Sequence, residues 1–213
     1  MRKLLTLSAL IVIIDQCSKM AIKGFQIFGI SHDGMHLYES IPVIGNTLRW
    51  TFVENPGMAF GFNFGMPVIL SLFSVIASVF LVLLLRRTES QWINGLRIAL
   101  ALILGGAVGN LIDRTFYGLF YDYAPLFYGR VVDFIDVDIP DINLFGLHLS
   151  RFYVFNIADA AVSTGVVLLL LFYPSKKKEP EAEGPDMPAP TEAAEHPSAP
   201  EERPYVELAS RQS

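Results

Sequence analysis

Residues 155–173 read "FNIADAAVSTGVVLLLLFY". From Ala160 onward the run is apolar and reads as a membrane span, yet it opens on Asn156 and Asp159. A carboxylate at the lip of an apolar helix is costly to bury, so it marks a functional position by default. The fold depends on whether this run has companions. A spanning helix needs about 20 mostly apolar residues. Three more runs qualify: "LLTLSALIVIIDQCSKMAI" (4–22), "MPVILSLFSVIASVFLVLLL" (66–85) and "WINGLRIALALILGGAVGNLI" (92–112). The expected fold is an α-helical integral membrane protein with four transmembrane helices, at about 4–22, 66–85, 92–112 and 155–173.

Composition agrees. The chain has 213 residues, is 52% hydrophobic and has a mean hydropathy of +0.43, too apolar for an ordinary soluble domain. Residues 174–213 hold nine Asp/Glu and five Lys/Arg, so this stretch carries −4 of the chain's net −5. The acidity belongs to a tail and gives no reason to expect a nucleic-acid partner. Pro, Ala and Glu dominate 179–203, with little to bury, so 174–213 is expected to be a disordered cytoplasmic tail. The single cysteine, Cys17, excludes an internal disulfide and is expected to be a small buried residue. His32 and His36 are separated by Gly34, which favours a turn over a helical metal pair, and neither HExxH nor CxxC occurs. No metal and no cofactor are expected.

Positive charge near span ends sets orientation. Arg2, Lys3, Arg86, Arg87 and Lys176–Lys178 fall on one side of a four-span bundle, which makes that side cytoplasmic, with both termini. Residues 23–65, containing the strand-like "TLRWTFV", and the mixed loop 113–154 then face outward. The start "MRKLLTLSALIVII" imitates a secretion signal. Asp15 and Gln16 before Cys17 are poor cleavage-site residues, so a retained helix is expected.

Polar residues in and beside the spans mark the chemistry. Asp15 and Lys19, four apart on one helix face, suit an ion pair. Asn110, Asp113 and Arg114 share a face at the outward end of the third span, where Gly105, Gly106 and Gly109 permit close packing. Asp113 reads best as an Asp–Arg interface clamp; Asn110 and Arg114 are placed to touch a ligand. "FVENPGMAFGF" holds an Asn-Pro-Gly turn at Asn55–Gly57, either a plain turn or a holder of extended peptide. In "GRVVDFIDVDIPD", Asp136, Asp138 and Asp141 read as a solvated edge, whereas apolar neighbours hold Asp133 near the membrane surface.

The orientation brings Asp133 and Asp159 to the same outer face. Two carboxyls in a partly apolar site cannot both ionise cheaply, so one pKa rises. One then serves as base on a water and the other as acid toward a carbonyl, which is aspartyl peptidase chemistry. A proton or cation transporter using Asp15, Asp133 and Asp159 is an open alternative. So is a metal-dependent lipid phosphotransferase with Asp133, Asp136 and Asp138 as ligands.

Five blocks carry a resemblance: "DQCSK" (15–19), "ENPGMAFGF" (54–62), "GGAVGNLIDR" (105–114), "VVDFI" (131–135) and "FNIADAA" (155–161). In this order, on a four-span pattern, the chain resembles the lipoprotein signal peptidases, signal peptidase II, over about 5–173. The resemblance implies a membrane aspartyl endopeptidase that cleaves diacylglyceryl-modified prolipoproteins on the amino side of the lipidated cysteine. It implies catalytic Asp133 and Asp159. It implies that Asp15, Lys19, Asn55, Gly57, Asn110, Asp113, Arg114 and Asn156 line or support the site. It further implies a small extracytoplasmic β-cradle, here 23–65, and a short surface element within 113–154. The implied setting is the bacterial inner membrane, with lipid around the site and globomycin as inhibitor. Departures from the family pattern are the aromatic "TFYGLFYDYAPLFYGR" and the extended "DVDIPDINLFGLHLS", expected to form a membrane-facing lid, and the acidic tail.

Overall fold

The computed structural model describes residues 2–59, 62–63, 67–87, 94–144 and 147–172, with backbone alone at 58–59, 62–63, 67, 139–144 and 147–151. They belong to one unit, Met1–Pro174. The expected tail, with Lys176–Lys178, lies outside the described residues, as does the side chain of Asp141.

Four long helices carry the unit: α1 (Arg2–Lys23), α2 (Pro67–Arg87), α3 (Asn94–Ile112) and, later in the chain, α5 (Ile157–Phe172). The first three are long and apolar enough to cross a membrane; α5 is equally apolar and shorter over its described length. α2 starts on Pro67, whose missing N–H costs nothing at a first helical position. Large apolar side chains point out of the bundle: Ile13 and Ile14 on α1, Phe73, Ile76 and Phe80 on α2, Leu170 and Leu171 on α5. A soluble protein rarely exposes so continuous an apolar surface, whereas lipid tails solvate it. Cys17 lies on this outward side, exposed, contrary to the expectation of burial. Its neighbours Asp15 and Lys19 take the inward face of α1, and Cys17 turns away from them.

α3 is the central helix, with α1, α2 and α5 packed against it. Small residues make this possible. A Cβ on Gly109 would lie 2.7 Å from Asp15 Oδ2, and one on Gly106 would strike the Ala158 carbonyl oxygen. Backbones approach where side chains are absent, as in membrane helix pairs generally.

The sequence pattern ends the third span at 112. In the structure the helix runs on through a π-helical turn, Asp113–Tyr117, into a short α4, Gly118–Phe120. Nothing in "DRTFY" caps or breaks a helix, and Ile112 keeps helical φ −58 and ψ −48. Such wide turns are frequent at functional sites.

The β-structure also reaches further than 23–65. β1 (Phe25–Ile27) and β2 (Ile30–His32) form a hairpin, and β5 (Met58–Ala59) pairs with β6 (Phe62–Asn63). The main sheet is antiparallel in the order β3 (Ser40–Ile44), β4 (Leu48–Asn55), β7 (Val131–Leu144), β8 (Leu147–Arg151). Half of it comes from the region expected to be a loop with a short surface element. "VVDFI" is buried on both faces, so its continuous apolar run reads poorly as an alternating strand. Pairing with β4 forms it into one, with Val53 opposite Asp133 and Asn55 opposite Val131. Phe52, Tyr117, Val132 and Phe134 form the core beneath the sheet.

Candidate active site

The site begins with the first turn of α5. The first N–H groups of a helix lack intrahelical partners. Asn156 is the N-cap, and its Oδ1 accepts from the Asp159 N–H at 2.8 Å. The Asn156 N–H points back to Asp159 Oδ2 at 3.4 Å. This is a reciprocal capping box with Asp159 at its third position, where the helix dipole favours negative charge. The next orphan donor, Ala158 N–H, goes to Asp15 Oδ1 on α1 at 2.9 Å. The sequence thus places Asn156 and Asp159 where a helix start needs acceptors, and this fixes the Asp159 carboxylate.

Asn156 does more than cap. Its Nδ2 donates to Asp133 Oδ1 at 2.7 Å, joining the α5 cap to strand β7. The second oxygen of Asp133 accepts from Asn55 Nδ2 at 3.2 Å. Asn55 in turn closes an Asx turn through Oδ1 to the Gly57 N–H at 2.9 Å. Gly57 has φ +126, a conformation open to glycine and strained for other residues. Asn110 Nδ2 donates to Asp159 Oδ1 at 2.7 Å, so each carboxylate is held by a separate amide.

Behind the two carboxylates lies an ion cluster. Lys19 Nζ sits 2.8 Å from both Asp15 Oδ2 and Asp113 Oδ2, all three side chains fully buried. It also donates to Asn110 Oδ1 at 2.9 Å. Asp113 Oδ2 accepts the Val132 N–H at 3.1 Å, which pins β7 one residue before Asp133. The expected Asp15–Lys19 pair is present. The expected Asp113–Arg114 clamp is not: Asp113 turns inward to Lys19. Consecutive residues on a helix point about 100° apart, so both cannot face one neighbour. Arg114 makes no ion pair among the described residues and interacts electrostatically with Asp159, Asp113 and Asp133.

Burial pushes the Asp133 carboxyl up to about 7, and the nearby Asp159 charge adds to the rise. The amides of Asn55 and Asn156 only partly offset it. Asp133 is 3% exposed, whereas Asp159 is half-buried. Asp133 therefore keeps a proton toward neutral pH, with the Asp159 carboxyl beside it.

All ten site residues expected from sequence are brought to one end of the bundle. Asp136 departs from its reading as part of a solvated edge: it is buried, and Thr51 Oγ1 donates to its Oδ2 at 2.6 Å. It lies on the opposite strand face from Asp133. Two participants were missed. Gln16 Nε2 donates to Asp113 Oδ1 at 2.8 Å and the Gly109 carbonyl at 3.1 Å, and its Oε1 accepts from the Tyr117 hydroxyl at 3.0 Å. Gln16 could have been singled out by the rule that flagged Asp15 and Lys19, a polar residue inside a span. Tyr117 carried no such signal.

Comparison with known proteins follows the same outline. Residues 7–174 match the family model of signal peptidase (SPase) II. A lipoprotein signal peptidase of Chlorobium phaeobacteroides (strain BS1) is 38% identical over 168 residues, 78% of this chain and 92% of the relative. One from Porphyromonas gingivalis (strain ATCC 33277) is 33% identical over 193 residues, covering 79% and 81% of the two chains. A solved bacterial membrane enzyme, obtained by the in meso method at 2.3 Å resolution, superposes with a TM-score of 0.60 at 28% identity, covering 84% of this chain and 94% of its own.

Proposed function

The chain belongs to the signal peptidase II family, and from that premise we propose that it is an aspartyl endopeptidase cleaving diacylglyceryl-modified prolipoproteins on the amino side of the lipidated cysteine. Family membership makes it a multi-pass membrane peptidase that removes signal peptides from prolipoproteins. The finer reading concerns how. The observation that carries it is the pairing at Asn156: one side chain holds Asp133 while its backbone caps Asp159.

In this reading Asp133 is the acid and Asp159 the base. Asp133 keeps its proton near neutrality because it is buried beside another carboxylate. Asp159 is fixed beside it by Asn110 and by the α5 cap. A water between them loses a proton to Asp159 as its oxygen attacks the scissile carbonyl carbon. Asp133 gives its proton to the carbonyl oxygen. The tetrahedral intermediate collapses as the C–N bond breaks; the leaving amine takes a proton from Asp159, and the collapsing hydroxyl returns one to Asp133. Positioned acid–base transfer of this kind contributes roughly 10²–10⁴-fold each. The turn at Asn55–Gly57 suits extended peptide beside Asp133, and Arg114, without an ion pair among the described residues, interacts electrostatically with both carboxylates. We place the site at the extracytoplasmic face of the bacterial inner membrane, both termini cytoplasmic, where lipid-anchored substrate meets it and globomycin blocks it.

The test is in-gel cleavage of a diacylglyceryl-modified prolipoprotein by the purified protein in detergent. Wild type should cleave with EDTA present and stop with globomycin. Asp133→Asn and Asp159→Asn should each lose activity by at least about 10³-fold. Cleavage surviving in either variant would overturn the dyad, and sensitivity to EDTA would return the metal reading.

A further inference from the structure

A groove opens between α1 and α2 with α3 as its floor, running from Ile13 and Val108 in the middle of the bundle to Arg86 at the end of α2 away from Asp133 and Asp159. Two adjoining cavities of about 360 and 330 Å³ share Val82, Leu104 and Val108. Ala9 and Val12 form the α1 wall, and Arg86 lies at the mouth. The walls are otherwise apolar, apart from Ser8 and Ser78. Ser78 Oγ is buried there with no hydrogen-bond partner.

Among the described residues, charge at the end of α2 is one-sided. Leu4 packs with Leu85 and Leu100, which gathers the start of α1 and the end of α2. Arg2, Lys3, Arg86 and Arg87 follow from those termini. Arg97 stands on the floor stripe of α3, since Arg97, Leu100, Leu104 and Val108 are spaced three, four and four residues apart. Its Nε is buried and has no hydrogen-bond partner. None of these five cations makes an ion pair among the described residues, and α1 before Asp15, α2 and α3 contain no carboxylate. Arg97 as a whole is half-buried, and a buried guanidinium N–H without an acceptor is unfavourable unless something supplies one.

We propose that this groove binds an anionic membrane phospholipid, one acyl chain lying along Val82, Leu104 and Val108 and the phosphate held by Arg86 and Arg97. Basic pockets between transmembrane helices select anionic headgroups by this chemistry. The charge complementarity favours a lipid over a second copy of the chain, whose described helix residues at this end include no carboxylate. The cavities also suit a single flexible chain; a helix is about 10–12 Å across.

The test is native mass spectrometry of the full-length protein in detergent, titrated with phosphatidylglycerol or phosphatidylcholine. Wild type should retain one phosphatidylglycerol per chain, preferred about 30-fold, roughly fivefold for each of two cations. Arg86→Gln with Arg97→Gln should abolish the preference. Arg86→Lys alone, which keeps the charge, should preserve it. Val82→Trp, which fills the groove, should reduce retention of both lipids. Equal retention of the two lipids by wild type would overturn the proposal. So would an undiminished preference in the double variant, or retention indifferent to Val82→Trp. A dimer lost on Val82→Trp would assign the groove to a second copy.

Discussion

Asn156 serves two carboxylates at once, so its removal separates structure from chemistry. Asn156→Ala removes an N-cap, which costs about 1 kcal/mol, and strips Asp133 of its shortest hydrogen bond. A modest drop in melting temperature is expected together with a much larger drop in kcat. A loss confined to stability would reduce Asn156 to a cap. Asp133 makes the complementary prediction. Its pKa rises from the ordinary 3.8 to about 7, so between these values the folded state binds more protons than the unfolded chain. Stability is therefore lost as pH rises through that window, by about 1.4 kcal/mol for each pH unit crossed. Asp133→Asn removes the titrating group. Relative to wild type, this variant should gain thermal stability between pH 5 and pH 8, and parallel melting curves would refute this. If Asp133 is the acid as proposed, cleavage by wild type should decline above about pH 7 as Asp133 loses its proton.

At the scale of elements, what was legible in the sequence is what lies within one element. Asp15 and Lys19 announced themselves through their spacing on one helix, and Asn156 and Asp159 through their place before an apolar run. What was illegible depends on contacts between elements. Asp113 looked committed to its neighbour Arg114 because Lys19 is 94 positions away, and only the packing of α1 on α3 joins them. Asp136 looked solvated because its partner Thr51 lies on β4. β7 was hidden because a strand buried on both faces shows no alternation. That packing rests on Gly109, where an added Cβ would lie 2.7 Å from Asp15 Oδ2. Gly109→Val should push α1 off α3 and spread the ion cluster. Overpacking of this kind costs roughly 1–3 kcal/mol, and a detergent melt should register it alongside reduced cleavage. Normal melting and turnover would mean that the helices can separate without disturbing the site.

For the molecule as a whole, the segment after α3 ties helix, sheet and site edge together. Glu54 on β4 pairs with Lys23 at the end of α1 and with Arg130, 3.2 Å away, just before β7. Lys23 also lies 4.3 Å from the ring centroid of Tyr121, whose hydroxyl donates to the Gly24 carbonyl at 2.8 Å. The Arg130 N–H donates to the Tyr123 hydroxyl at 2.8 Å. Leu119, Phe120, Leu126 and Tyr128 point outward from the same segment. An aromatic loop clamped on its inner side and apolar on its outer side suits the membrane-facing lid proposed from the sequence. Its aromatic residues were visible in the sequence, but the clamp was not, because Lys23, Glu54 and Arg130 come from three distant places. Removing 118–127 should therefore impair cleavage of lipidated prolipoprotein more than cleavage of a short unlipidated peptide carrying the same scissile bond. Glu54→Gln keeps the loop and weakens only the clamp, so it should shift the same ratio in the same direction, less strongly. An equal collapse of both activities in the deletion would show that the segment supports the site itself, not access to it. A Glu54→Gln protein with an unchanged ratio would show that the clamp holds shape without governing entry.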